Sequence, residues 1–132
     1  MVEYNNHFEI HSEDRGSYTY IHASGRVKTR EELLQFADKL FSEITRYNHT
    51  LIYNDMLGMD FLAKNSDYLA LVESYENDDP QLVFEWKIAI SIRPEFETVG
   101  SFWESACYNR GFNYKSYTSE KKALNWLLEK FE

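Results

Sequence analysis

The sequence predicts an α/β fold: a mixed five-stranded sheet with four helices, in the order β-β-α-β-α-β-α-β-α. Three observations carry this reading. The chain opens with two strand-like segments separated by a short turn, which makes an antiparallel hairpin. It then alternates apolar stripes of helical period with short apolar runs, and such strand–helix–strand units imply parallel neighbours joined by right-handed crossovers. Finally, only five Gly and two Pro are scattered over 132 residues. No Gly/Ser/Pro-rich linker divides them, so residues 1–132 read as one domain.

The elements follow in order. His7 to Glu13 alternates, with Phe8 and Ile10 on one side and His7, Glu9 and His11 on the other. That is a strand with one wet face. Asp14, Arg15 and Gly16 read as a turn, and Ser17 to Arg26, with Tyr18, Thr19, Tyr20 and Ile21, as the second strand. Thr29 opens the first helix, because Glu32 follows three residues later as a capping box. Leu33, Phe36, Ala37, Leu40, Phe41, Ile44 and Tyr47 continue it as a core-facing stripe. Thr50 to Asn54 is too short for a helix and reads as a buried strand.

Asp55 to Asn65 is the least regular stretch and reads as a loop. Asn65 or Ser66 is expected to cap a second helix running through Tyr75, with Tyr68, Leu69, Leu71 and Val72 as its apolar residues. Asn77, Asp78, Asp79 and Pro80 suit a turn. Leu82 to Ile92 is a long strand candidate ended before Pro94. Phe96 to Tyr108 carries Val99, Phe102, Trp103, Ala106 and Cys107 at helical spacing, and Gly111 is its stop. Phe112 to Tyr117 is the fifth strand. Thr118 is expected to cap the last helix, whose stripe is Ala123, Leu124, Leu127, Leu128 and Phe131.

Composition excludes several classes. Fourteen Lys and Arg stand against 22 Asp and Glu, a formal charge of −8. Nucleic-acid binding and anchoring on anionic lipid both need clustered basic residues. Apolar residues make up 43%, enough to build a core. A single Cys rules out an internal disulfide and an all-Cys zinc site. No apolar run is long enough to span a membrane, and the start lacks a secretory pattern, so a cytoplasmic domain is expected.

Within this frame the residues resemble the SpoIIAA-like group of STAS-fold proteins, which are anti-sigma-factor-antagonist-like. Ala23-Ser24-Gly25-Arg26-Val27-Lys28-Thr29 looks like a strand ending in Gly before a Thr-capped helix. Leu51-Ile52-Tyr53-Asn54 is similar to the short strand after that helix, and Lys87-Ile88-Ala89-Ile90 to the fourth strand. Tyr117-Thr118-Ser119-Glu120, leading to Ala123-Leu124-Asn125-Trp126-Leu127, is similar to the last turn and helix. The resemblance implies a non-enzymatic domain that binds a protein partner or a small ligand. Some relatives are switched by phosphorylating a Ser that follows an Asp at the start of the helix after the third strand. Here that region holds no Asp-Ser pair. Ser66 is the nearest hydroxyl, its order with Asp67 is reversed, and the loop before it is longer than the pattern wants. Ser66 is thus the one phosphorylation candidate.

Chemistry-bearing motifs are sparse. His7, Glu9 and His11 share a strand face, but His7 and His11 stand about 13 Å apart; one ion could hold a neighbouring pair but not all three, and the leading reading is a solvated face. His22 and His49 have no partner in sequence and read as structural. No metal site and no cofactor are expected. Cys107 lies in an apolar stripe, where a thiol behaves as a small inert hydrophobe. No nucleophile elbow or phosphate-binding Gly loop is present, so no catalytic residue is assigned. The Glu76-Asn77-Asp78-Asp79 run lacks the spacing of a calcium loop.

The Asp55–Asn65 stretch draws attention through Met56, Leu57, Met59, Phe61 and Leu62, which is apolar for a surface loop. The leading expectation is a regulatory or interaction domain that binds a protein partner through this loop. Asp55, Met56, Met59, Phe61, Ser66 and Asp67 are its candidate contacts. The alternative is a small apolar-ligand or lipid binder with the same loop as lid. A third reading is a small enzyme using loop carboxylates such as Asp55 and Asp60. Tyr18, Tyr20, Tyr114 and Tyr117 on strand faces would suit a protein interface and a homodimer.

Overall fold

The computed structural model describes residues 7–77 and 85–129. Within them, β1 spans Phe8–Asp14, β2 Thr19–Val27, α1 Arg30–Arg46, β3 Leu51–Phe61 and α2 Asn65–Asn77. β4 follows at Lys87–Ser91, then a 3-10 turn at Pro94–Phe96, α3 at Glu97–Tyr108, β5 at Asn113–Tyr117 and α4 at Glu120–Leu127. The five strands lie side by side in chain order, β1 antiparallel to β2 and the rest parallel. The mixed α/β architecture is the one read from the sequence.

Helices divide unequally between the faces. The large core lies between the sheet and α1, α2 and α3, and a smaller core lies under α4, which packs on β3, β4 and β5. α2 rests on α1 and α3 more than on the sheet.

Local chemistry explains the ends. The Thr29 hydroxyl accepts from the Glu32 amide at 3.1 Å, and Glu32 accepts from the amides of Thr29 and Lys28 at 3.2 and 2.9 Å. These bonds satisfy the helix's unpaired donors and hold the Glu32 carboxyl below its ordinary range. Gly25 sits at φ +120°, where a Cβ would collide with the His7 carbonyl that accepts from Arg26. Only Gly fits that backbone. Glu43, inside the α1 stripe, is buried because Ser12 of β1 and Arg46 both donate to it.

Several expectations change. Asp55 to Phe61 is no loop: β3 runs eleven residues, and only residues 62–64 connect it to α2. On β2, His22 pairs with Asp55 and Ser24 with Gly58, so two steps on one strand oppose three on the other. This β-bulge explains the irregular pattern. Ile52, Asn54 and Met56 face the large core before it, and Met59 and Phe61 after it. The inward positions thus switch from even to odd numbers, which breaks strict alternation. Asn65 is the first residue of α2, so neither it nor Ser66 is the cap. Ser119, not Thr118, caps α4, its hydroxyl accepting from Lys122 at 3.1 Å. β4 is shorter than expected, beginning at Lys87. Leu82 and Val83, the turn residues Asp78 to Pro80, and Phe131 lie outside the described residues.

Candidate functional site

A cavity of about 70 Å³ lies between the sheet and the three helices of the large core. By roughly 10–15 Å³ for one water-sized group, it holds several. Met56 and Phe61 of β3 and Tyr68 and Leu71 of α2 form part of its wall. Phe36 of α1, Ile90 of β4, Trp103 of α3 and Tyr114 of β5 close it from the other sides. Among the described residues, no charged side chain lines it. Gly100 lets α3 approach closely, since a Cβ there would stand 2.9 Å from the Ser116 hydroxyl and would also press on Ile92.

Two polar groups stand out in this apolar wall. Asn54 is fully buried, and neither its amide oxygen nor its amide nitrogen has a hydrogen-bond partner. The Tyr68 hydroxyl, on a residue only 4% exposed, has none either. Burial pushes the Tyr68 phenol well above its ordinary range, so it stays neutral. An unpaired buried polar group costs roughly 1–3 kcal/mol. Ser116, also on the wall, is satisfied: its amide and hydroxyl both donate to Glu104, at 3.0 and 3.3 Å. The Thr19 hydroxyl is also buried without a partner, but it lines no part of the cavity.

The six residues singled out in the sequence disperse. Met56 and Phe61 face the cavity, and the Phe61 ring meets Phe36 and Phe96 edge-on, at 6.4 and 5.9 Å between centroids. Met59 is fully buried core. Asp55 points to the opposite face, accepting from the Tyr20 hydroxyl at 3.0 Å and the Leu57 amide at 3.2 Å. Burial first, and Asp55 second, push the Tyr20 phenol up to about 12. Ser66 is exposed in the first turn of α2. Asp67 accepts from the Arg30 guanidinium at 2.9 Å and the Lys64 amide at 3.1 Å, which ties the starts of α1 and α2 together. Arg30 first, then the Lys64 amide, hold its carboxyl below the usual range.

Asn54 and Tyr68 were missed as site residues. Asn54 carried a signal, because a polar side chain at an inward position of a buried strand needs a partner. Tyr68 read simply as core. Tyr18, Tyr20, Tyr114 and Tyr117 are half-buried: Tyr114 packs edge-on against Trp103 at the cavity, and the other three border the smaller core. Cys107 is buried, its thiol pushed up by desolvation. Among the described residues, no group of three or more His, Cys, Asp and Glu is placed to hold a metal ion. No described helix is long and apolar enough to cross a membrane.

No protein-family model matches this chain, and no curated protein does. Solved structures do. An anti-sigma factor antagonist from Mycobacterium paratuberculosis superposes with a TM-score of 0.64 at 12% identity, over 96% of this chain and 99% of that one. An uncharacterized protein of the DUF3478 family from Shewanella loihica PV-4, described as having a SpoIIAA-like fold, gives 0.54 at 20% identity, over 96% and 98%. The fold of this chain is therefore SpoIIAA-like, as the sequence resemblance implied.

Proposed function

We propose that this SpoIIAA-like domain is a non-enzymatic binding module that takes a small ligand into the cavity under α2. The supporting observation is the coincidence of an apolar cavity with the unpaired Asn54 amide and Tyr68 hydroxyl. Ligand sites are mostly apolar with a few convergent polar groups. Asn54 offers one acceptor and two donors, so it suits a head group that both donates and accepts. Among the described residues the wall has no charge to offset a charged head, which would lose its hydration on entry. The ligand class is an apolar body with a neutral amide-like or hydroxyl head. Met56 and Phe61 contact the body, and α2 forms the roof.

Calorimetry with hexanamide tests this, with hexylamine as the charged control. Saturable hexanamide binding that Asn54→Leu weakens at least tenfold is expected. Equal binding of both compounds, or binding indifferent to Asn54, would remove the reading.

A second reading, a protein partner, is favoured by Leu62 and Leu69, which are 51% and 37% exposed near the start of α2. Ser66 and Asp67 lie between them in sequence, and a phosphate on the exposed Ser66 would add charge to this patch. The solved anti-sigma factor antagonist shares this fold. Leu62→Asp with Leu69→Asp is then expected to abolish partner binding and leave hexanamide binding intact.

A further inference from the structure

Among the described residues, the sheet face opposite the cavity is bare of helix over β1 and over β2 beyond Tyr20, because α4 packs on β3, β4 and β5. The register places His11 of β1 opposite His22 of β2, and His22 opposite Asp55 of β3. Their neighbours Ile10, Ile21 and Ala23 are buried in the large core, so both imidazoles point to the bare face. His11 is exposed and His22 half-buried. Asp55 shares that face with Tyr20, whose hydroxyl it accepts.

The ladder's phase fixes the spacing. The Arg26 amide donates to His7, and the Arg15 amide to Tyr18. Every second pair exchanges both ladder bonds, and on this count His11 and His22 are such a pair. Their Cα atoms are then about 5.5 Å apart, with Asp55 about 4.8 Å beyond His22.

We propose that His11 and His22 form a surface site for a divalent first-row transition cation, with Asp55 as a positioning carboxylate behind His22. Imidazole nitrogens suit zinc, copper and nickel. The metal–nitrogen bond is about 2.0–2.1 Å, so one ion bridges rings on adjacent strands. The chain supplies two nitrogens and solvent completes the shell, since no third side chain converges among the described residues. Copper(II) binds such a site most tightly. Asp55 accepts two hydrogen bonds, which leaves lone pairs for the second ring N–H of His22. Glu9 is exposed on the same face and adds negative potential, whereas Glu13 there is paired with Arg15 at 2.7 Å. His7 and His49 are engaged elsewhere, with Glu32 at 3.4 Å and Asp14 at 2.7 Å. In the sequence His22 has no partner; strand register alone brings one. The site is independent of the cavity.

Titration of the full chain with copper(II) chloride tests this, read by calorimetry and by electron paramagnetic resonance, which counts bound nitrogens. One equivalent with two nitrogen ligands is expected. His11→Ala, at an exposed position, and His22→Asn should each weaken binding at least tenfold and remove one nitrogen from the spectrum. Asp55→Asn should weaken binding about tenfold and keep both nitrogens. His49→Asn should change neither reading. If His22→Asn fails to fold, His11→Ala decides. Binding that survives His11→Ala unchanged, or a one-nitrogen spectrum in the unaltered chain, overturns the proposal.

Discussion

Tyr53 and Asn54 are neighbours on β3, both fully buried and both polar, and they face opposite sides of the sheet. Under α4, the Tyr53 hydroxyl and the Ser91 hydroxyl bond each other at 2.7 Å, and Tyr20 is tied to Asp55. Under α1, α2 and α3, Asn54 and Tyr68 have no partner and line a cavity. One face thus closes its hydrogen bonds within the chain. The other leaves the Asn54 amide and the Tyr68 hydroxyl open at a cavity where a guest could complete them. Since leaving a buried group unpaired costs free energy, the contrast is what the proposed function rests on: one face closed within the chain, the other proposed to bind.

Substitutions should expose the contrast, beginning with the largest effect. Met59→Ala asks whether the end of β3 is core. Its side chain is fully buried, so a loss of about 2–5 kcal/mol is expected in urea unfolding. A change under about 0.5 kcal/mol, the usual range for surface positions, would return this stretch to a mobile lid. Ser91→Ala strands the Tyr53 hydroxyl and should cost about 1–3 kcal/mol by the same assay. Asn54→Leu should do the reverse and stabilise the chain by about 1 kcal/mol, because both unpaired atoms disappear. Opposite signs from positions flanking one sheet are the sharpest form of the comparison; equal signs would break it. Tyr68→Phe should be neutral or slightly stabilising.

The smallest effect is one of pH. The folded pKa of Asp67 lies below the ordinary 3.8. The contribution from its pairing with Arg30 is therefore present above that value and lost as pH falls through the folded pKa. Asp67→Asn should lower stability slightly at neutral pH, change it least below the folded pKa, and so flatten the acid limb of the stability profile in that window.

Much of the fold was legible because caps and stripes are local. The Thr29–Glu32 box, the α1 stripe and the alternation of Phe8 and Ile10 each need only a few neighbouring residues to be read. The end of β3 was not, because the bulge between Asp55 and Gly58 shifts the inward parity, and a bulge shows itself only against its partner strand. The site was less legible still. Asn54 was visible as a polar residue in a buried strand, yet its lack of a partner depends on five other elements meeting around it. His22 acquires its neighbours only through register with β1 and β3.

The central claim rests on the Asn54 amide. Its side-chain NH₂ resonances, followed by two-dimensional NMR while hexanamide is added, test it most directly. The account expects a saturable shift of that pair, together with the Tyr68 ring, and none at Tyr53. Unmoved Asn54 resonances at hexanamide concentrations that saturate the protein elsewhere would contradict it.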